Sequence, residues 1–316
     1  MPLTVIVGGQ YGSEGKGKVA HFLAREMRAA AAVRVGGPNS GHTVIGPNGE
    51  AVIFRQLPTA ALLPEVKCVI GCGSYIDVDC LLEEIKRTSL PVDRVVIDPH
   101  AVLITEEDRC RERELGLRDR IGSTLSGTGS AFGRRISREI TVKFAKDDPR
   151  LASYIRPTMP LLREFLDGGE RVIIEGTQGF GLSVFHGSDY PNVTSRDTTA
   201  AGFLSEVGLS PFDVDDIVLV IRAFPIRVAG NSGELPEEID WATVTAESGS
   251  QSPLSEHTSV TGGLRRVARF DSEVVAKAIQ ANRPTRIVLN HLDYVDAEAQ
   301  RLGRPTEIIC KTQDPI

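Results

Sequence analysis

The sequence predicts an α/β protein in which helices flank a mainly parallel central sheet. Two observations support this prediction. Short apolar segments of strand length alternate along the chain with segments of helical periodicity, and a glycine-rich turn joins the first apolar segment to the first helical one. Parallel strands need long crossover connections, which helices usually provide, so this alternation is typical of a parallel sheet covered by helices.

The first predicted strand, Leu3 to Val7, precedes a predicted helix over Val19 to Met27. Later apolar segments predict further strands at Val66 to Ile70, Arg94 to Ile97, Arg171 to Ile174, Asp216 to Ile221 and Arg286 to Leu289. Helical patterns between them include Asp77 to Arg87 and Asp271 to Ala281. The segment Glu247 to Val260 is rich in serine and poor in large apolar residues, which predicts an exposed, mobile loop.

Length and composition favour one large domain. With 316 residues, 41% of them hydrophobic, the chain can bury the core of one α/β domain with insertions or of two closely joined units. We expect a single domain over residues 1–316. The formal net charge of −6 gives no overall field that attracts nucleic acid or an anionic membrane. No apolar run approaches the roughly 20 residues that a membrane span needs, so we expect a cytoplasmic protein.

The five cysteines do not have the paired spacing of a zinc site. They are Cys68, Cys72, Cys80, Cys110 and Cys310. We expect buried or incidental thiols here and no metal centre built on cysteine.

The residues from Gly8 to Lys18 form the most informative segment, because they place a glycine-rich turn between a strand and a helix. Glycines let backbone N–H groups point inward, the helix N-terminus adds positive potential, and Lys16 and Lys18 add full charges. The spacing is not that of the Walker motif, since the lysine is followed by Gly17. A purely structural turn is the alternative, which two lysines and five glycines make less favourable.

This loop resembles the Trp-Gly-Asp-Glu-Gly-Lys-Gly-Lys loop of adenylosuccinate synthetases, with Tyr11 for the tryptophan and Ser13 for the aspartate. A second block, Gly36 to Thr43, resembles that family's Gly-Gly-x-Asn-Ala-Gly-His-Thr. Further matches follow in family order at Ile121 to Thr124, Glu175 to Gly179, Val193 to Thr199 and Val260 to Gly262. The resemblance covers nearly the whole chain and implies the P-loop-like adenylosuccinate synthetase fold with inserted loops.

The resemblance also implies a reaction. Members of this family phosphorylate the 6-oxygen of a purine monophosphate and then displace that phosphate with the amino group of aspartate. Catalytic roles are implied for Ser13, Lys16, His42 and Gln178, with His42 stabilising charge on the transferring phosphoryl group. Mg²⁺ is implied at Ser13 and Gly41. The implied contacts to the nucleotide cofactor are Ser13, Glu14, Gly15, Lys16, Gly17, Lys18, Gly41, His42, Thr43, Asn290 and Asp293.

The monophosphate substrate is expected to contact residues of the remaining motifs, namely Ser13, Asn39, Ser123, Thr124, Gln178 and Thr194. Arg138 occupies the place of an arginine that the family donates across a dimer interface, so the resemblance implies a homodimer with shared active sites. The alternative for Arg138 is a solvated helix face, since Arg134 and Arg135 lie beside it. For aspartate, the implied contacts lie in one loop at Val260, Thr261, Gly263 and Arg265, and guanidinium matches carboxylate geometry.

Three departures from the family pattern fall at functional positions. Ser13 replaces a carboxylate with a very weak base, and its smaller neutral side chain leaves room for a base with a 2-amino group. Gly263 removes an arginine near the substrate ribose, which removes a preference for ribose over deoxyribose. His291 replaces the lysine of a Thr-Lys-Leu-Asp motif that frames guanine of GTP, here Asn290 to Asp293.

Together these departures resemble the phage diaminopurine-pathway branch of the family, which joins dGMP to L-aspartate with ATP as phosphate donor. The resemblance therefore implies dGMP, L-aspartate and ATP as substrates, with dATP or GTP as possible donors, and the host cytoplasm as location if the chain is phage-encoded. The same motif order also fits an ordinary adenylosuccinate synthetase that uses IMP and GTP. A third alternative is a nucleotide-binding module without turnover, against which the presence of Lys16, His42 and Gln178 argues.

Overall fold

The computed structural model describes residues 1–258 and 262–295, together with the backbone of residues 308–311. Its strands, in chain order, are β1 (Leu3–Gly8), β2 (Ala31–Arg34), β3 (His42–Ile45), β4 (Ala51–Phe54), β5 (Lys67–Ile70), β6 (Tyr75–Ile76), β7 (Val95–Ile97), β8 (Val102–Leu103), β9 (Val172–Glu175), β10 (Val214–Arg222), β11 (Ile226–Arg227), β12 (Glu238–Ile239), β13 (Arg266–Ala268), β14 (Arg286–Asn290) and β15 (Ile308–Lys311).

The α-helices of the same residues are α1 (Lys16–Glu26), α2 (Val78–Arg87), α3 (Glu106–Glu114), α4 (Leu117–Ile121), α5 (Thr128–Ile136), α6 (Thr158–Asp167), α7 (Ala200–Val207), α8 (Trp241–Ser248) and α9 (Ser272–Asn282). Side chains fix several of their beginnings. Asp77 accepts a hydrogen bond from the backbone of Cys80 at the start of α2, and Asp271 accepts from Glu273 at the start of α9.

The central sheet has the strand order β15-β14-β10-β1-β9-β2-β5-β7. Every neighbouring pair is parallel except β14 and β15, which are antiparallel. β1 and β9 are buried along their whole length, as expected for strands covered by helices on both faces. The predicted α/β class is confirmed, and the six predicted strands correspond to β1, β5, β7, β9, β10 and β14.

Strand β2 was not predicted from the sequence, although it lies between β9 and β5 near the middle of the sheet. Its sequence begins with two alanines, which have low strand propensity. All four of its residues are buried, so tertiary packing decides its conformation. The predicted loop from Glu247 also differs in detail, since α8 continues to Ser248 and Thr258 is buried.

The carboxyl ends of the central strands position the candidate site. Arg34, Glu175, Arg222 and Asn290 are the last residues of β2, β9, β10 and β14, and β1 ends at the glycine-rich loop. Ligands of open parallel sheets bind beyond these ends. Charged and amide groups placed here therefore converge on one region.

Two expectations on composition can be compared with the described residues. Cys68, Cys72, Cys80 and Cys110 are free thiols, and Cys68 is buried. Within the described part of the chain, no helix combines the length and the apolar composition that crossing a bilayer requires.

Candidate active site

A cavity of about 1220 Å³ is lined by segments that follow the carboxyl ends of the central strands. It is formed from the loop after β1, the segment before β3, the region from α3 to α5, the stretch between β9 and α7, the residues after β10 and β14, and the segment before β13. Predicted site residues that line it are Ser13, Gly15, Lys16, Gly17, Lys18, Asn39, Gly41, His42, Thr43, Ser123, Thr124, Gln178, Thr194, Gly263 and Arg265. The cavity is large enough for more than one small substrate.

The glycine-rich loop is held from within by Glu14. Its carboxylate Oε1 accepts hydrogen bonds from the backbone N–H groups of Gln10 (3.1 Å) and Gly12 (2.9 Å), and Oε2 pairs with the Lys16 ammonium at 2.6 Å. Glu14 is fully buried, and Gly12, Ser13 and Gly15 have left-handed backbone conformations. The Glu14 side chain therefore shapes the loop, and the exposed Lys18 in the first turn of α1 adds a positive charge at the cavity wall.

Asn290 also acts on the loop. Its side-chain Nδ2 donates to the backbone carbonyl of Glu14 at 2.8 Å, which links the end of β14 to the loop after β1. Asn290, Asp293 and Glu14 are not among the residues that line the cavity. The side chains of Glu14 and Asn290 thus hold the glycine-rich loop, and their expected contacts to the nucleotide stay predictions.

His42 lies in a buried network that the sequence reasoning did not identify. Its Nδ1 is 2.5 Å from Glu175 Oε1, and the Arg34 guanidinium contacts both groups. Glu175 Oε2 accepts from the N–H and the hydroxyl of Thr59, each at 2.8 Å. The two contacts to Nδ1 make opposite demands, because the Glu175 carboxylate only accepts and the Arg34 guanidinium only donates. We assign the proton to Nδ1 on the contact with the carboxylate, which leaves Nε2 for a ligand.

The electrostatics of this network keep His42 neutral in the ligand-free protein. Burial first, and then the neighbouring Arg34 guanidinium, lowers the pKa of His42 to about 3. Burial raises the pKa of Glu175, but the contacts of the Glu175 carboxylate with His42 and Arg34 outweigh burial and hold that pKa below its usual range. A charged residue at the end of an apolar strand was the signal that could have identified Glu175 and Arg34.

A second charged cluster lies at the end of β10. The Arg222 guanidinium is fully buried, forms a close ion pair with Glu256, and donates to the Ser13 carbonyl at 3.0 Å. Tyr294 donates its hydroxyl to Glu256 Oε1 at 2.9 Å, and His291 Nδ1 lies 3.9 Å from the same oxygen. Burial raises the pKa of Glu256, but the Arg222 guanidinium lowers it to about 2, so this pair stays ionised at neutral pH.

Ser13 and Arg265 contact each other directly. Arg265 Nη1 donates to Ser13 Oγ at 2.6 Å, and Arg265 Nε donates to the carbonyl of His257 at 3.2 Å. Gly263 lies in the same segment and lines the cavity. The predicted aspartate contacts Val260 and Thr261 lie outside the described residues.

The other end of the cavity is organised by Glu112. Its carboxylate accepts from the backbone N–H groups of Gly127 (2.8 Å), Gly129 (3.0 Å) and Ser130 (3.3 Å) around the start of α5. This arrangement orders the segment that begins with Ser123 and Thr124, the predicted contacts to the monophosphate. Glu112 itself was not predicted as a site residue.

Arg138 lies outside the cavity wall, on an exposed turn after α5. Its two neighbours in the predicted basic cluster are bound within the chain: Arg134 pairs with Asp108 at 2.7 Å, and Arg135 donates to the Cys72 carbonyl at 2.6 Å. The cluster is therefore not a uniformly solvated basic face. The exposed side chains beside Arg138 include Ile136 and Ile140.

The implied Mg²⁺ was compared with the donor atoms present. The described residues contain no group of three or more His, Cys, Asp or Glu that could hold a metal ion. Mg²⁺ that accompanies a nucleotide takes most of its ligands from phosphate oxygens and water. The carbonyl of Gly41 and the hydroxyl of Ser13, both in the cavity wall, fit such a nucleotide-borne ion.

Comparisons of this chain with known proteins agree on one family. A family model described as adenylosuccinate synthetase matches residues 5–146 and 139–300. The adenylosuccinate synthetase of Methanococcus aeolicus is 37% identical over 98% of this chain and 90% of its own length. That of Methanocaldococcus jannaschii is 38% identical over 93% of this chain and 84% of its own length.

Two solved structures are also similar to this chain. One is the succinoaminodeoxyadenylate synthetase (PurZ) of cyanophage S-2L bound to dGMP and to dATP as an energy donor, with a TM-score of 0.77 and 34% identity over 91% of this chain and 84% of that one. The other is a fully ligated adenylosuccinate synthetase from Plasmodium falciparum, with a TM-score of 0.80 over 93% of this chain and 78% of that one. At 24% identity, the second likeness shows the fold alone.

Proposed function

The chain belongs to the adenylosuccinate synthetase family of carbon–nitrogen ligases, and we propose that its substrates are dGMP, L-aspartate and ATP. The product is N6-succino-2-amino-2′-deoxyadenylate, released with ADP and phosphate. The γ-phosphoryl group passes from ATP to O6 of the purine. The aspartate nitrogen then attacks C6, and the C6–O bond breaks as phosphate leaves.

The observation that carries the choice of dGMP is Ser13. Its hydroxyl is exposed in the cavity wall where ordinary members of the family have a carboxylate. A neutral hydroxyl both donates and accepts hydrogen bonds, and it occupies less space than a carboxylate. It therefore leaves room for a purine with a 2-amino group, and it offers that amino group an acceptor in place of a carboxylate.

Two further observations support this choice, and a third concerns the phosphate donor. The phage synthetase, whose structure contains dGMP and dATP, is 34% identical to this chain. Gly263 lines the cavity without a side chain that could donate to a ribose 2′-hydroxyl. His291 lines the cavity in place of the guanine-framing lysine, which favours an adenine nucleotide as phosphate donor, ATP or dATP.

The residues of the chain have the following roles in the proposed reaction. Backbone N–H groups of Gly15, Gly17 and Lys18 at the start of α1 hold the phosphates of the donor. Lys16 contributes charge from the buried side of the loop. His42 is held by Glu175 with Nε2 free, and a phosphoryl oxygen beside it raises the low pKa of the imidazole, so that the ring donates to the developing charge.

Gln178 and Thr194 hold the purine monophosphate together with Asn39, Ser123 and Thr124. The carbonyl of Gly41 and the hydroxyl of Ser13 would hold the Mg²⁺ that accompanies the triphosphate, and this ion would supply charge neutralisation for phosphoryl transfer. In this proposal Ser13, at the position of the family's aspartate, relays the N1 proton to water or to a phosphate oxygen.

Arg138 completes the site of a second copy of the chain in this proposal. Its exposed position outside the cavity wall of its own chain, beside Ile136 and Ile140, suits a residue donated across an interface. Analytical ultracentrifugation is expected to give a dimer. A monomer that turns over at full rate would contradict the shared site.

Phosphate release with Mg²⁺ and L-aspartate tests the proposed function, with dGMP plus ATP compared with IMP plus GTP. We expect release that requires both dGMP and aspartate. The archaeal relatives are named as ordinary adenylosuccinate synthetases, so the second candidate is the use of IMP and GTP. Release with IMP and GTP alone would establish that candidate, and no release with either pair would favour a nucleotide-binding module.

A further inference from the structure

The hydrogen bond between Ser13 and Arg265 joins two segments that are 252 residues apart in the sequence. At 2.6 Å it is a short contact for a charged donor and a neutral acceptor. Both residues line the cavity. The contact therefore couples the loop after β1 to the segment before β13.

The Arg265 guanidinium is nearly buried but is not neutralised by its own carboxylate. Its side chain is 13% exposed, and its direct acceptors are the hydroxyl of Ser13 and the carbonyl of His257. The nearest carboxylate, Glu256, lies 4.0 Å from Arg265 Nε and is already paired closely with Arg222. Two guanidinium groups thus share one carboxylate among the residues described here, which leaves one net positive charge at the cavity wall.

A desolvated cation with mainly neutral partners is stabilised when an anion arrives. Arg265 uses Nε and one hydrogen of Nη1 in the contacts described above, so further N–H groups of its planar fork remain for a ligand. The free donors of a guanidinium suit a carboxylate or a phosphoryl group. The charge and the geometry are therefore prepared before the substrate binds.

We propose that Ser13 is a positioning residue that holds Arg265 in place, with its charge uncompensated, for an anionic group of the substrates. The anion is a carboxylate of L-aspartate, and the transferring phosphoryl group has the same chemistry. This inference rests on the proposed function in that L-aspartate is the second substrate. It gives Ser13 a role separate from the choice of purine, because an aspartate at this position would form an ion pair with Arg265 and compete with the substrate.

The test compares Ser13→Asn with Ser13→Asp. The two variants have the same shape, and both residue types tolerate the left-handed backbone of Ser13, so they differ mainly in charge. We expect the KM for L-aspartate in Ser13→Asp to exceed that in Ser13→Asn by about tenfold or more, as for the loss of one charge-assisted contact. Where turnover is too slow, calorimetric titration with L-aspartate in the presence of dGMP gives the dissociation constant.

The same pair of variants is then made in an Arg265→Ala background. If Ser13 acts through Arg265, the ratio between the two variants falls to about one there; an added metal ligand at position 13 would leave the ratio unchanged. Arg269→Ala is the matched control, because Arg269 lies on the surface in an ion pair with Glu247. It is expected to leave the aspartate KM unaltered.

Each outcome supports or overturns the positioning role of Ser13. If the KM for ATP differs between Ser13→Asp and Ser13→Asn while the KM for L-aspartate does not, the phosphoryl group is the anion and the positioning role is still supported. A ratio of one in the parent background, or a ratio that survives Arg265→Ala, overturns it. The series is run with saturating dGMP and with saturating IMP. Failure to use dGMP would remove the proposed function, and the ratio with IMP would still test the positioning role.

Discussion

Replacing Glu256 by glutamine tests how strongly the buried cluster holds the segments around the cavity. Arg222 is fully buried, and its partners are Glu256 and the carbonyl of Ser13. Glu256→Gln keeps the size and one acceptor oxygen but removes the negative charge. The guanidinium then remains desolvated with neutral partners, which is the unfavourable state for a buried cation.

The magnitude follows from the burial of the pair. Removing one partner of a buried ion pair costs about 3 to 5 kcal/mol. The Arg222 side chain is fully buried, whereas the Glu256 side chain is 20% exposed. We therefore expect the free energy of unfolding to fall by about 3 kcal/mol, at the lower end of this range. Since the segment with His257 and Arg265 is anchored beside this pair, the KM for L-aspartate is expected to rise as well.

Urea denaturation at pH 7, followed by circular dichroism, measures the change in unfolding free energy. Glu247→Gln is the control, because Glu247 forms an exposed ion pair with Arg269. Glu247 precedes Glu256 by only nine residues in the chain. The reasoning is refuted if Glu256→Gln loses less than about 1 kcal/mol, or no more than the control. That result would mean that neutral acceptors, the Ser13 carbonyl and the amide oxygen of the variant, compensate Arg222 sufficiently.

Two further predictions concern buried groups near the cavity. Glu175→Gln removes the charge that orients His42 and offers an N–H that favours the other tautomer, so kcat is expected to fall by about 100-fold with the fold retained; an unchanged kcat in steady-state assays would contradict this. Burial, and next the Arg222 charge, lowers the pKa of His291 to about 3, below its unfolded value near 6.5. The folded state therefore disfavours the proton that the unfolded chain binds, and stability is lost as pH falls from about 6.5 towards 3. Between pH 7 and pH 5 the His291 contribution is about 1 to 2 kcal/mol, and urea titrations should show a shallower pH dependence for His291→Gln than for the parent.

The regular pattern of apolar segments was sufficient to predict the class of fold. The predicted strands β1, β9 and β10 consist largely of buried residues in a parallel sheet, which is the situation in which composition alone is informative, whereas β14 is only partly buried. Strand β2 was not predicted, because Ala31 and Ala32 owe their strand conformation to the neighbours β9 and β5. Its last residue, Arg34, was missed with it.

The candidate site could be predicted where a short motif brings its residues together, as for Lys16, Gly41 and His42. Contacts between distant segments could not. Glu175 lies 133 residues from His42, and Arg265 lies 252 residues from Ser13. Nothing in the local sequence indicates which charged residues meet at the carboxyl edge of the sheet. Only the strand order makes these partners neighbours.

The backbone around Ser13 is held without help from its side chain. The N–H of Gly12 is bound by the Glu14 carboxylate, the carbonyl of Ser13 by Arg222, and the carbonyl of Glu14 by Asn290. The hydroxyl of Ser13 is exposed and is not part of that scaffold. Position 13 is thus insulated from folding, so evolution can exchange serine, asparagine or aspartate there at little cost in stability. If position 13 selects the purine as proposed, a change of substrate at this loop leaves the surrounding architecture intact.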